Sequence, residues 1–206
     1  MSGTLRKRIQ PRTLYTINDE VGDESEISQT RLEVGSEISG RSIVLEKCEL
    51  NRTRIIGAPG LRVAESRFDT VDAANAKFDE SGWRDADVVE SRWTGACMNF
   101  SHMARCGFVN CQMGHTQIQE STLKDVRFES CDLRNAYFNR SQMQGTVFGG
   151  SNLTSADFIG AEIRGCDFRR AIIEDIRIAP EQLVGVIVTP DQALYLARLL
   201  GLDVRE

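Results

Sequence analysis

The sequence predicts an all-β chain wound into a coil that stacks on itself and is closed at its C-terminal end by one short helix. Three observations carry this. From Leu61 to Pro190 the chain divides into 26 consecutive pentapeptides whose third residue is always apolar. At 41% hydrophobic content such a run has a chance of about 10⁻¹⁰. The period of five matches neither the 3.6 of a helix nor the 2 of an isolated strand. Helical spacing appears only in the last stretch, TPDQALYLARLLGL.

Residues 1–25 show no five-fold pattern. Arg6, Lys7, Arg8 and Arg12 are followed by Asp19, Glu20, Asp23, Glu24 and Glu26. The reading is a tail or a strand covering the open first coil, over residues 1–26. A basic tether for an acidic partner is the sharper alternative. Ile27 and Leu32, five apart, start a degenerate coil, and IVLEK, CELNR and TRIIG turn Leu45, Leu50 and Ile55 inward. Ala58, Pro59 and Gly60 then shift the frame by three, which reads as a small inserted bend.

The repeat region is taken as residues 27–190, regular from 61 and interrupted at 58–60. In an extended segment the first and third side chains of each pentapeptide point the same way, inward. The remaining residues must turn the chain. The first position is Ala, Ser, Cys, Thr or Val in 23 of the 26 blocks, while eight of the nine Phe and both Trp stand third. A narrow close-packed interior requires this alternation of small and large columns. At the far end Thr189 is a good N-cap, Pro190 fits the first helical position and Gln192 completes a capping box. Residues 191–206 form the C-terminal helix and tail. That segment is more apolar than one lid needs, which points to a symmetric dimer through Leu196, Leu199, Leu200 and Leu202.

The composition excludes several function classes. A formal charge of −5 argues against a generally basic nucleic-acid or membrane surface. No apolar run reaches membrane-span length, and the basic N-terminus has no apolar stretch behind it, so a cytoplasmic protein is expected. Cys48, Cys97, Cys106, Cys111, Cys131 and Cys166 lack C-x-x-C spacing and read as free thiols, with Cys111 and Cys131 as small inward residues of one column. His102 and His115 are the only histidines, and neither lies at motif spacing from an acid or nucleophile. No catalysis, metal or cofactor is expected.

SNLTS, ADFIG, CDLRN and CDFRR resemble the pentapeptide-repeat family, whose pattern is A-(D/N)-L-x-x. The resemblance covers residues 61–190 and extends to 43–57. It implies a right-handed quadrilateral parallel β-helix with one pentapeptide per side and twenty residues per coil. Phe108, Phe128, Phe148 and Phe168 would then stack as a core ladder. The passage QLVGVIVTPDQALYLARLLGLDV is similar to the C-terminal end of mycobacterial fluoroquinolone-resistance pentapeptide proteins, in which that segment dimerises.

For function the resemblance implies a non-catalytic binding rod that engages DNA gyrase or topoisomerase IV as a mimic of DNA, without binding nucleic acid itself. Charge tests this. Duplex DNA carries one negative charge per ~1.7 Å, so a rod of ~31 Å would need about 18. Residues 61–190 hold 18 Asp and Glu but also 14 Lys and Arg, a net of −4. Local acidic clusters remain as candidate partner surfaces: Asp85, Asp87 and Glu90, and Glu174 with Asp175. The alternative is a structural scaffold for some other protein partner.

Overall fold

Each pentapeptide makes one side of a four-sided rod, and the local chemistry shows why. A computed structural model of the protein describes residues 15–17, 20–33 and 35–205. The basic stretch Arg6, Lys7, Arg8 and Arg12 lies outside the described residues. From residue 61 every strand pairing is parallel and joins residues twenty apart. Val63, Trp83, Met103, Leu123 and Met143 align on the first side. Phe68, Val88, Phe108 and Phe128 align on the second. The other two sides are joined by single parallel bridges, such as Asp72 to Arg92 and Lys77 to Cys97. The result is a parallel β-solenoid of about six turns.

The turn needed to make a period of five is a left-handed residue at the fifth position. Between residues 65 and 175 its φ runs from 49° at Glu65 to 68° at Arg170 wherever glycine is absent. A short polar residue at the second position holds the corner. The Asp157 carboxylate accepts the N–H of Ile159 at 2.9 Å, and the Asn152 carbonyl oxygen accepts that of Thr154 at 3.0 Å. This side-chain turn is the physical content of the D/N in the repeat.

Between coils, backbone bonds run in both directions. Arg92 N–H donates to the Val71 carbonyl at 2.8 Å, and Phe78 N–H donates to that of Cys97 at 2.6 Å. Third-position side chains fill the interior. The Phe108, Phe128, Phe148 and Phe168 rings stack at centroid distances of 5.2, 5.4 and 5.0 Å. Small first-position residues add a second layer of bonds. The hydroxyls of Ser101, Ser121 and Ser141 each accept the backbone N–H of the serine one coil before, at 3.2, 3.0 and 3.1 Å.

The coils before residue 61 are shorter. Val44 pairs with Arg62 and Glu49 with Arg67, eighteen residues apart. Ala58, Pro59 and Gly60 are therefore no insertion. Arg54 bridges to Asp72, whereas Gly57 bridges to Lys77, so Ile56 alone spans a corner that later takes residues 74–76. Ala58 is fully buried, and its N–H donates to the Lys77 carbonyl at 2.7 Å. The coil is two residues short, and a phase shift of minus two equals plus three in a period of five.

Pairing also begins ahead of the boundary at residue 26. Tyr15–Ile17 lies parallel to Thr30–Leu32, and Glu20–Val21 to Glu37–Ser39.

At the C-terminal end the last half-coil closes through a 3₁₀ turn, Pro180–Leu183, and helix α1, Pro190–Leu199. Thr189 caps α1, its hydroxyl accepting from Gln192 N–H at 3.2 Å. Leu196 is buried over Phe168, Ile173 and Ile176 as the plug of the rod. The Tyr195 hydroxyl accepts the N–H of Asp175 at 2.7 Å, tying the helix to the last coil.

Candidate interaction surfaces

A rod filled by its own side chains offers its outside, its corners and its ends. The acidic candidates fall on different faces. Asp85 stands at the corner between the first and second sides, gripped in a two-pronged pair by Arg105 at 2.7 Å and 2.7 Å. Hydrogen bonding to that carboxylate raises the guanidinium's pKa further above its usual value. Asp87 follows on the exposed second side and Glu90 at the corner that ends it. Glu174 and Asp175 lie on the third side and four coils further along, roughly 19 Å away. The fold does not bring the two clusters into one patch.

The leucines of α1 divide. Leu196 is 7% exposed and belongs to the core, which removes it from any intermolecular contact. Leu199 and Leu202 are 42% and 61% exposed and Leu200 is 36% exposed, so these three keep an apolar surface outside the plug.

Several of the carboxylates that point outward are paired with arginines along the rod. Arg92 bonds Asp72 on the coil before, at 2.9 and 2.8 Å, and holds that carboxyl below its usual range. Arg134 does the same to Asp132, and Arg169 to Asp167, within one side. His102 lies on the first side and His115 at a corner of the third, so no pair of histidines forms. Among the described residues no group of three or more His, Cys, Asp and Glu is placed to hold a metal ion.

The six cysteines are free. Five are buried, and Cys97 alone is half-exposed on the fourth side. Burial pushes the Cys106 thiol up to about 11 and that of Cys166 up to about 12. These are inert small residues of the inner columns.

On the second side Gly149 and Gly150 open a notch of about 720 Å³ between Glu129 and Ser130 on one rim and Arg169 and Arg170 on the other. No helix among the described residues is long and apolar enough to cross a membrane.

Twenty-residue stacking, an apolar third column and left-handed fifth positions define one kind of repeat, and residues 92–158 match the family model for a pentapeptide repeat region. The chain carries a pentapeptide-repeat β-helix. Its fold is shared with two trypsin-treated forms of QnrB1, a plasmid-mediated fluoroquinolone resistance protein. One is 18% identical at a TM-score of 0.56, covering 91% of this chain and 99% of the treated chain. The other is 19% identical at 0.53, covering 93% and 98%. A sequence comparison with curated proteins finds no match.

Two features of this β-helix escaped the sequence reading. One is a pair of glutamine plugs. Gln182 Nε2 donates to the carbonyls of Phe158 and Ala161 at 2.6 and 2.7 Å. Gln192 Nε2 repeats this ten residues on, donating to Phe168 and Ala171 at 2.7 and 2.8 Å. Each amide replaces the hydrogen bonds that a further coil would have supplied. The signal was the repeated A/T-P-E/D-Q of residues 179–182 and 189–192. The other feature is Phe100, the ninth phenylalanine, which stands at a corner and is 53% exposed.

Proposed function

We propose that this pentapeptide-repeat protein is a non-catalytic binding rod of the cytoplasm that engages a type II topoisomerase, DNA gyrase or topoisomerase IV, and thereby alters the response to fluoroquinolones. The observation that carries the reading is the continuous, self-filled rod. Its interior is occupied by its own side chains, so action has to come from its surface. The likeness of fold to a fluoroquinolone resistance protein supports it. The exposed Leu199, Leu200 and Leu202 support a homodimer through the C-terminal helices, which would double the length of the rod.

The charge balance argues against a replica of DNA along the whole length, since 18 acidic residues stand beside 14 basic ones over residues 61–190. Binding through local surfaces fits better, with Asp85, Asp87, Glu90, Glu174 and Asp175 as candidates. The same balance favours the second reading, a scaffold for a different protein partner. A supercoiling assay with purified gyrase and topoisomerase IV, with and without a fluoroquinolone, separates them. Inhibition of supercoiling, or rescue from drug-induced cleavage, supports the first reading. No effect at tens of micromolar leaves the scaffold.

A further inference from the structure

Every described corner residue with positive φ between residues 65 and 175 is polar or glycine, with one exception: Phe100, at φ 57°. The left-handed region crowds any Cβ, and a bulky aromatic ring is among the residues least often found there. The corner is also the most convex point of the rod, so the ring recovers little burial and remains 53% exposed. Two local rules are broken at one residue, while the eight other phenylalanines sit inside. A locally unfavourable residue held by a regular framework is the physical signature of a position kept for contact.

Its surroundings indicate what it meets. Along the same corner column Phe100 is flanked by Glu80 one coil before and Glu120 one coil after. Glu120 is shared with Arg140 at 3.5 Å in an exposed pair. Arg62 lies flat over Gly82, its guanidinium donating to the carbonyls of Gly60, Leu61 and Glu80. Residues 61–90 hold 8 Asp and Glu against 4 Lys and Arg, whereas residues 91–190 hold 10 of each. The net negative charge of the regular repeat therefore lies in the section just before Phe100.

We propose that Phe100 is the anchor through which this rod docks on its protein partner, entering an apolar pocket whose rim carries lysine and arginine. The inference rests on the topoisomerase reading, because a surface that normally receives DNA phosphates is basic. An aromatic side chain in a partner's pocket contributes most of the short-range energy of such a contact. The neighbouring carboxylates steer the approach and set its salt dependence.

The test uses the full chain and Phe100→Asn. Asparagine tolerates the left-handed corner better than phenylalanine, so the variant is expected to melt at the same temperature as the parent or higher. In the supercoiling assay with purified gyrase and topoisomerase IV, the half-maximal concentration should rise about tenfold or more. Ile159→Asn, at an exposed fourth position on the fourth side, is the control and should stay within about twofold of the parent. Glu80→Gln with Glu120→Gln should flatten the salt dependence of binding. If the parent acts on either topoisomerase and Phe100→Asn acts equally well, the anchor is wrong while the topoisomerase reading stands. A change of solution mass in Phe100→Asn would assign the ring to self-association and overturn the proposal. If the parent leaves both enzymes unaffected, the topoisomerase reading fails and the anchor falls with it.

Discussion

Replacing Gln192 by glutamate changes one NH₂ into an oxygen and little else in shape, yet it should destabilise the end of the rod severely. The side chain is 9% exposed. Its Oε1 accepts Thr189 N–H at 2.9 Å, while Nε2 donates to Phe168 and Ala171 at 2.7 and 2.8 Å. Glutamate keeps the first bond and loses both donors. The Ala171 carbonyl is left without a partner at about 1–3 kcal/mol, that of Phe168 keeps only the N–H of Ala171, and a buried carboxylate faces both. A loss of roughly 3–5 kcal/mol at neutral pH follows, a large share of the 5–15 kcal/mol typical of a domain.

The effect depends on pH with a definite sign. The two carbonyls favour the protonated acid, which can donate one bond, so the introduced carboxyl has a folded pKa above its unfolded ~4.3. The variant is therefore closest to the parent below that value, and its deficit grows as pH rises through the folded pKa. Thermal unfolding followed by circular dichroism at pH 7 and pH 4, with hydrogen exchange over residues 165–205 to locate the opening, checks both statements. Opening should begin at the C-terminal coil, since each coil contacts only its neighbours. A Gln192→Glu protein as stable as the parent at pH 7, or a deficit that does not shrink in acid, would refute the role given to the plug.

The remaining predictions concern the core, the surface and the end. Phe128→Ala, which removes a buried ring stacked between Phe108 and Phe148, should cost about 3–5 kcal/mol in urea unfolding. Asp132→Ala on the outside should cost far less, and equal losses would mean that the inward frame is misassigned. Leu199→Glu with Leu202→Glu should halve the solution mass measured by light scattering if the C-terminal helices form a dimer, without touching Leu196 in the core. In native protein a thiol reagent should label Cys97 alone among the six cysteines, since the other five are buried. Asp72, Asp132 and Asp167 have depressed folded pKa values because arginines bond them. Their contribution is present above the unfolded carboxylate range and is lost as pH falls through the folded values. An Asp167→Asn variant should thus differ from the parent at pH 7 and converge with it in strong acid.

Much of the rod was legible because burial in a repeat is a local matter. An apolar third residue and a small first residue are chosen pentapeptide by pentapeptide, so Phe108 and Phe128 could be placed on one column without knowing what touches them. The capping box at Thr189 and Gln192 is equally local. The misreadings arose where two distant segments decide the outcome. Ala58, Pro59 and Gly60 shift the phase by three, and phase alone does not distinguish three residues gained from two lost. Only the pairing of Gly57 with Lys77 does so. Leu196 and Leu199 are both apolar helix positions, and which one plugs the rod depends on the angle at which the helix crosses the last coil. Phe100 falls outside the third-position column, and how far a corner leaves its ring exposed follows only from the closed coil.

By itself the sequence determined the period, the inward columns and the helical stop, because these follow from side-chain size and turn chemistry within a few residues. Tertiary structure decided coil length, fifteen to eighteen residues at the start and twenty in the body, and hence which side chains become neighbours. It separated Asp85 from Glu174, buried Leu196 and set Phe100 on an edge between two glutamates. Neighbours along this solenoid axis are fifteen to twenty residues apart in the chain, and only closure of the whole coil brings them within bonding distance.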